Sequence, residues 1–431
     1  MRILIYSYNY HPEPIGIAPL MTELAEGLAN KGHEVRVVTG MPNYPQRRIY
    51  DGYRGKLYCT EEINGVTIQR SYIWVRPKPG FMDRILLEGS FVLSSFLQAL
   101  NGWSPDIVLL TVPPLPACVP AALLAWFHGC PLVLNLQDIL PDAAVNTGLL
   151  RNKALIRVFE GLERFAYRHA TKISVIADGF AKNLQDKGVP SEKMTLIPNW
   201  VDTNFIRPLP KENNAFRQAN QLEGKFVVLY AGNIALTQGV EMVVQSARYL
   251  RHLRDVALVI VGEGRALESL KRVRKLWKVE EQVTLLPFQP REELPTMLAA
   301  ADVGLVAQKR NVICINMPSK IPVLLASGCP ILASVPLAGT AAKAVGQSGG
   351  GLVIPPEDPI GLAKSIQELY ENRDRLAKLG RTGRQYAVEH FTFRQALNRY
   401  ETLFQALTAP KDITDSLRKG KPEVLPKRSG S

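Results

Sequence analysis

Short runs rich in Val, Ile and Leu alternate with longer stretches of helical periodicity from one end of the chain to the other. Ile3–Tyr6, Val35–Thr39, Ile107–Thr111, Leu132–Leu136, Ile173–Ala177 and Thr195–Pro198 are the predicted strands of a first unit. Phe226–Ala231, Ala257–Gly262, Val283–Leu286, Val303–Ala307, Ile331–Ser334 and Gly351–Ile354 are those of a second. Nearly continuous apolar strands separated by helix-length segments predict parallel sheets covered on both faces. Right-handed crossovers then give an α/β fold of two doubly wound sheets.

The hydrophobic pattern also sets the boundaries. Pro198–Pro210 carries three prolines and little periodicity, so it reads as the linker between residues 1–200 and 201–391. A last amphipathic pattern, about 392–408, lies beyond the final strand and is expected to pack back on the first unit. From Ala409 to Ser431 the composition turns to Lys, Asp, Ser and Pro, the signature of a disordered tail. The longest apolar stretch, Ile107–Phe127, is interrupted by Pro113, Pro114, Pro116 and Pro120. It reads as a buried strand, a turn and a helix start rather than a spanning helix.

Charge narrows the partners. Lys plus Arg number 52 against 39 Asp plus Glu, a net +13 that favours phosphorylated substrates or an anionic membrane face. No basic run is interleaved with aromatics, which argues against nucleic acid. Cys59, Cys118, Cys130, Cys314 and Cys329 have no CxxC spacing, so neither a metal site nor a disulfide framework is expected. The N-terminal MRILIYSYNY lacks the apolar core and cleavage site of a signal peptide, and a cytoplasmic location is expected.

In doubly wound sheets ligands bind beyond the carboxyl ends of the strands, so the loops there hold the candidate chemistry. After the first strand, Gly16 permits close backbone approach ahead of a helix. Strand Phe226–Ala231 leads into Gly232–Gly239, a loop able to fold over a diphosphate, with Asn233 and Gln238 as amide donors. In Gly262-Glu-Gly264, Glu263 either caps the next helix or reaches the donor. Ser319 and Lys320 stand at the entry to the apolar helix Ile321–Ala326, a hydroxyl and an ammonium suited to clamping a diphosphate. Asp138, just after Leu132–Leu136, is a candidate acid–base group or ligand of a substrate hydroxyl. Capping the following helix is the competing role for Asp138 and Asp142.

The order of these segments resembles the family-four retaining glycosyltransferases. The resemblance rests on MRIL, Asn-Trp-Val-Asp202, the Gly232–Gly239 loop, VGEG at Val261, LPFQPREELPTMLAAAD, ASGCPILAS and GGLVIPPEDP, and spans Met1 to about residue 408. Thr39-Gly-Met-Pro-Asn-Tyr-Pro45, Tyr50-Asp-Gly-Tyr53, Asp138-Ile-Leu-Pro-Asp142 and Pro318-Ser-Lys320 resemble a narrower bacterial subgroup. Its members build colanic acid and O-antigen and include fucosyl- and N-acetylfucosaminyltransferases. The resemblance implies a GT-B fold, two Rossmann-like domains facing a central cleft: residues 1–200 on the acceptor side and 201–391 binding a nucleotide sugar. It implies transfer of a hexose or deoxyhexose, with retention and without a metal cofactor, onto a lipid-linked saccharide at the cytoplasmic membrane face. A front-face route, with the departing phosphate helping to take the acceptor proton, fits retention.

The chain departs from the wider family in its charged donor groups. Asn233 and Gln238 stand where that family has Arg and Lys on the diphosphate, and Ile315 and Val323 where it has two Glu residues. Pro318 replaces a Gly whose N–H faces the donor. These replacements imply a reorganised loop in which Lys320, helped by Lys309 or Arg310, supplies the positive charge. A nucleotide-sugar epimerase and a non-catalytic glycan- or partner-binding homologue are the alternatives.

Overall fold

In a computed structural model the chain is described over residues 1–409, except 15, 78–79, 101, 143–144, 146–151, 236, 313–316 and the side chain of Phe81. The expected tail beyond Ala409, and Cys314 and Ile315, lie outside the described residues.

The first sheet contains β1 (Arg2–Tyr6), β2 (Glu34–Gly40), β3 (Tyr58–Ile63), β4 (Val66–Ser71), β5 (Ile107–Val112), β6 (Leu132–Leu136), β7 (Lys172–Val175) and β8 (Met194–Leu196). Its order is β3-β4-β2-β1-β5-β6-β7-β8. Side chains alternate between its faces, as a pleat requires. Ile3, Ile5, Val37 and Leu109 pack on α1 (Ala18–Asn30) and on the C-terminal helix Phe393–Thr408. Leu4, Tyr6, Leu110 and Leu134 pack under α2 (Phe81–Ala99), α3 (Cys118–Phe127) and α4 (Lys153–His169), with α5 (Asp178–Asp186) beside them.

The expectation of wholly parallel pairing needs correction at one edge. β3 runs antiparallel to β4, joined through Asn64 and Gly65 at φ 51° and 76°. An Asn-Gly pair reaches such angles readily and favours a two-residue hairpin. The strand pattern missed this hairpin because β3 alternates exposed and half-buried residues rather than forming an apolar run.

The second sheet is parallel throughout its six strands: β9 (Phe226–Ala231), β10 (Val256–Val261), β11 (Val283–Leu286), β12 (Val303–Ala307), β13 (Ile331–Ser334) and β14 (Gly351–Ile354). Their order is β11-β10-β9-β12-β13-β14. A short helix, α6 (Ala215–Ala219), precedes β9, and α7 (Glu241–Ser246) and α8 (Leu267–Leu276) follow β9 and β10. α7 stops at Ser246 and tightens into a 3₁₀ turn, Ala247–Tyr249. Next come α9 (Leu294–Ala300), α10 (Lys320–Ala326), α11 (Thr340–Ser348), α12 (Pro359–Glu371), α13 (Arg373–His390) and α14 (Phe393–Thr408).

The chain crosses between the sheets twice, and the crossings lie side by side. Val201 bridges Thr392, and the Val201 amide donates to the Phe391 carbonyl at 2.8 Å. Arg384 holds the linker by donating to the Thr203, Ile206 and Ala326 carbonyls. No helix among the described residues is long and apolar enough to cross a membrane.

Candidate functional site

A cavity of about 930 Å³ opens between the two sheets, beyond their carboxyl ends. Gly16, Glu23 and Asp138 line it from one side, and Gly232, Arg291 and Ser319 from the other. It continues into an inner pocket of about 430 Å³ walled by Gly232, Asn233, Gln238, Pro318, Ser319, Lys320 and Val323.

The inner pocket is built from the end of β9. Gly232 leaves that strand at φ +133°, and its amide donates to the Val261 carbonyl at 2.9 Å. A Cβ on Gly232 would lie 2.7 Å from Lys320 Cε, so the missing side chain leaves room for the lysine stem. Lys320 Nζ donates to the Tyr230 hydroxyl at 2.9 Å and lies 4.1 Å from the centre of the Tyr230 ring. The same hydroxyl donates to the Asn233 carbonyl at 2.8 Å, which ties the lysine to the glycine loop.

Among the described residues no carboxylate lies within 4.0 Å of Lys320. Burial disfavours the uncompensated ammonium and pulls its pKa from 10.5 down to about 8. The Tyr230 phenol is pushed the other way by the same burial and stays protonated. A cation held dry, with one neutral hydrogen bond and an aromatic face, is poised to receive an anion.

Ser319 precedes α10 and makes no capping hydrogen bond, although it lines both cavities. Gln238 lines the inner pocket, and Asn233 does so from an exposed position. Gly239 and Glu263 line neither cavity. Gly239 is buried at φ +63°, where a Cβ would meet the Lys309 stem at 3.3 Å. Lys309 lines neither cavity: its amide donates to the Thr237 carbonyl, and the exposed Arg310 takes its amide hydrogen bond to Glu357.

The expected cap at Glu263 is also corrected. α8 starts after Ala266, and Glu263 is exposed without a capping bond. Its backbone acts instead, as the Glu263 carbonyl accepts from the Ile234 amide at 2.7 Å. The flanking glycines explain the motif. A Cβ on Gly262 would stand 2.0 Å from the Gly232 carbonyl oxygen, and one on Gly264 2.3 Å from that of Ile234. Gly262–Gly264 therefore braces the Gly232 loop backbone to backbone.

Across the cleft, Asp138 accepts from the Ile139 amide at 3.0 Å, and burial raises its pKa above the ordinary carboxylate value. Beside it, Gln137 and Asn199 exchange two amide hydrogen bonds, at 3.1 and 2.6 Å. Asp142 stands apart: it accepts from Asn183 and pairs with Lys187 at 3.0 Å.

One feature of this wall escaped the sequence reading. Glu13 is buried, and one of its oxygens accepts from the Asn43 and Tyr44 amides, each at 2.8 Å. The other accepts from Asn9 Nδ2 at 2.6 Å. Glu13 thereby pins the loop after β2 to the loop after β1, and Asn9, Asn43 and Tyr44 all line the cleft. The signal available was a carboxylate between two prolines, in His-Pro-Glu-Pro14, in a loop otherwise poor in charge.

Residues 16–200 match the glycosyl transferase 4-like domain, and residues 212–386 match glycosyl transferases group 1. The chain is 34% identical over 340 residues to "Putative colanic acid biosynthesis glycosyl transferase WcaI" of Escherichia coli (strain K12), spanning 76% of this chain and 82% of that protein. It is 26% identical over 318 residues to "Probable glycosyltransferase WbjE" of Pseudomonas aeruginosa, spanning 73% and 76% respectively. The solved structure of Anabaena Alr3699/HepE in complex with UDP has a TM-score of 0.71 at 17% identity, over 94% of this chain and 100% of that one. That likeness, together with the two Rossmann-like sheets facing a cleft, makes the fold GT-B. With its two halves matched in order and the E. coli relative spanned over most of its length, the chain belongs to the group 1 glycosyltransferases with a glycosyl transferase 4-like N-terminal domain.

Proposed function

We propose that the protein transfers a hexose or deoxyhexose from a nucleotide diphosphate onto a lipid-linked saccharide at the cytoplasmic membrane face, during assembly of a bacterial surface polysaccharide. The carrying observation is Lys320, a buried ammonium with no carboxylate partner among the described residues, in the wall of the inner pocket beside Gly232. In this reading Lys320 and Ser319, with the Gly232 loop and the amides of Asn233 and Gln238, neutralise the leaving diphosphate. Protein groups supply that charge, with no metal ion assigned to the step.

Asp138 and the Gly16 loop lie on the opposite wall, where the transferred sugar and the acceptor would meet. Retention then follows a front-face route: the departing phosphate oxygen takes the acceptor proton as the new glycosidic bond forms on the face the nucleotide leaves. The names of the E. coli relative and of the UDP-bound neighbour support the polysaccharide and nucleotide readings. Val323, an apolar side chain in the pocket wall, favours a second reading, a homologue that binds a nucleotide sugar without turning it over.

A thermal-shift panel of UDP-, GDP- and dTDP-sugars tests the donor. A ligand at 100 times its dissociation constant adds about 2.7 kcal/mol to the folded state, enough to move the midpoint clearly. Turnover of the stabilising nucleotide sugar, lost in Lys320→Ala with the fold intact, supports the transferase. Binding without any hydrolysis or transfer supports the second reading.

A further inference from the structure

The outer surface of the first domain carries two parallel stripes of opposite character. On α2, Met82, Leu86, Leu93, Leu97 and Leu100 (the residue closing the helix) are exposed, Leu93 by 65% and Leu97 by 56%. Their spacing confines them to an arc of about 60° on the helix. The opposite face of α2 is the one that packs on the sheet, through Phe91 and Ala99. On α4, Lys153, Arg157, Arg164 and Arg168 are all exposed and fall within an equally narrow arc. Glu163 on that helix is buried and bonded to Lys187, and Glu160 is half-buried, so the exposed stripe is strongly cationic.

Between the two lies α3, packed against both. It has no charged residue, and it ends in Trp126 and Phe127, exposed by 80% and 70%. Exposed aromatic and aliphatic side chains gathered on adjoining helices mark an interaction surface. A basic flank beside them selects an anionic, apolar partner.

We infer that the α2–α3–α4 face lies on an anionic lipid bilayer, with Trp126, Phe127 and the α2 stripe entering the headgroup boundary and the α4 cations on lipid phosphates. Continuity with the cleft gives this surface its purpose: Asp83, Arg84, Leu87 and Glu88, in the first turns of α2, also line the 930 Å³ cavity. A glycan carried on a lipid would pass from the bilayer along α2 into the site. This inference rests on the lipid-linked acceptor proposed above, but it is tested separately.

The full-length protein is sedimented with vesicles of phosphatidylcholine alone and with a phosphatidylglycerol mixture, without donor or acceptor. Binding at least tenfold tighter to the anionic vesicles, weakened by added salt, is expected. Trp126→Ser with Phe127→Ser lowers it at least tenfold, and Arg157→Glu with Arg164→Glu removes the preference for anionic lipid. One cation near the surface contributes about fivefold, so two charge reversals suffice. Unchanged thermal midpoints and nucleotide binding show that the variants remain folded. Equal binding by variants and wild type, or none by the wild type, overturns the inference. So does light scattering that finds a wild-type dimer which Trp126→Ser with Phe127→Ser makes monomeric. A failed donor site shows in the nucleotide panel alone, and a failed surface in sedimentation alone.

Discussion

Replacing Lys320 by Met removes the ammonium while keeping much of the apolar stem, and it should move stability and donor affinity in opposite directions. Among the described residues no carboxylate pairs with this charge, and burial lowers its pKa from 10.5 to about 8. At about 1.4 kcal/mol per unit, that shift sets an upper bound of about 3.5 kcal/mol on the cost of the buried charge. The Tyr230 hydroxyl loses a donor but keeps its own bond to the Asn233 carbonyl, so no buried hydrogen is stranded. Lys320→Met should therefore stabilise the unliganded protein by about 1–3 kcal/mol at pH 7. The lysine is protonated in both folded and unfolded states below about pH 8 and neutral in both above about 10.5. The gain is thus complete below pH 8 and fades as pH rises towards 10.5. Binding of a diphosphate should suffer instead. Unit charges 4 Å apart interact by about 4 kcal/mol at an effective dielectric constant of 20. A loss of about 2–4 kcal/mol corresponds to about 30- to 1,000-fold weaker binding. Urea denaturation and calorimetric titration with the nucleoside diphosphate chosen by the panel measure the two quantities. Wild-type affinity should decline as pH rises through about 8, whereas that of the variant stays level. Affinity within threefold of wild type, or a joint fall in stability and affinity, would refute the reasoning.

Gly262→Ala places a methyl 2.0 Å from the Gly232 carbonyl oxygen at a φ of +147°; a stability loss of about 2 kcal/mol or more and weaker nucleotide binding are expected, read by denaturation and titration. Asp138→Asn, which removes a carboxylate able to accept from a substrate hydroxyl, should lower transfer about a hundredfold with donor affinity unchanged within about threefold. Because burial raises the pKa of Asp138, the acid limb of the wild-type rate profile should lie above the ordinary carboxylate range and vanish in the variant. Glu13→Gln turns an amide donor on either Asn9 Nδ2 or the Asn43 and Tyr44 amides, which should raise the acceptor KM and leave donor binding intact. Equal acceptor KM values for wild type and Glu13→Gln would reduce that carboxylate to a bystander.

What the sequence disclosed follows from how its elements are buried. β9, β11, β12, β13 and β14 end where their apolar runs end, because helices cover both faces of that sheet and leave no polar alternation to blur the edges. β3 failed the same test for the converse reason: its outer face meets solvent, and the informative pair was Asn64-Gly65. The site divides along similar lines. Lys320 was legible because an ammonium interrupts an otherwise apolar helix start. Tyr230 was not, since within Phe226–Ala231 a tyrosine is indistinguishable from core. Glu13 was hidden by distance, its partners Asn43 and Tyr44 arriving some 30 residues later. Glu263 misled because side chains are what a sequence displays, and there the backbone carbonyl makes the contact.

Tyr230 also bears on the proposed donor pocket. Its hydroxyl joins Lys320 to the Asn233 carbonyl, and Gly262–Gly264 supports the same loop from behind, so cation and loop form one unit. Where the resemblance implies several charges, the described residues of this pocket include amides, Val323 and Pro318, with the dry ammonium of Lys320 among them. Low local polarity makes an unmatched charge costly and a matched one strong. The unit is therefore least favourable when empty and most favourable with a diphosphate beside it, the direction in which charge grows as the sugar departs. In the proposed transfer, discrimination between sugars would fall to the opposite wall, where Asp138, Gln137 and the Glu13-pinned loop present polar groups to the cleft.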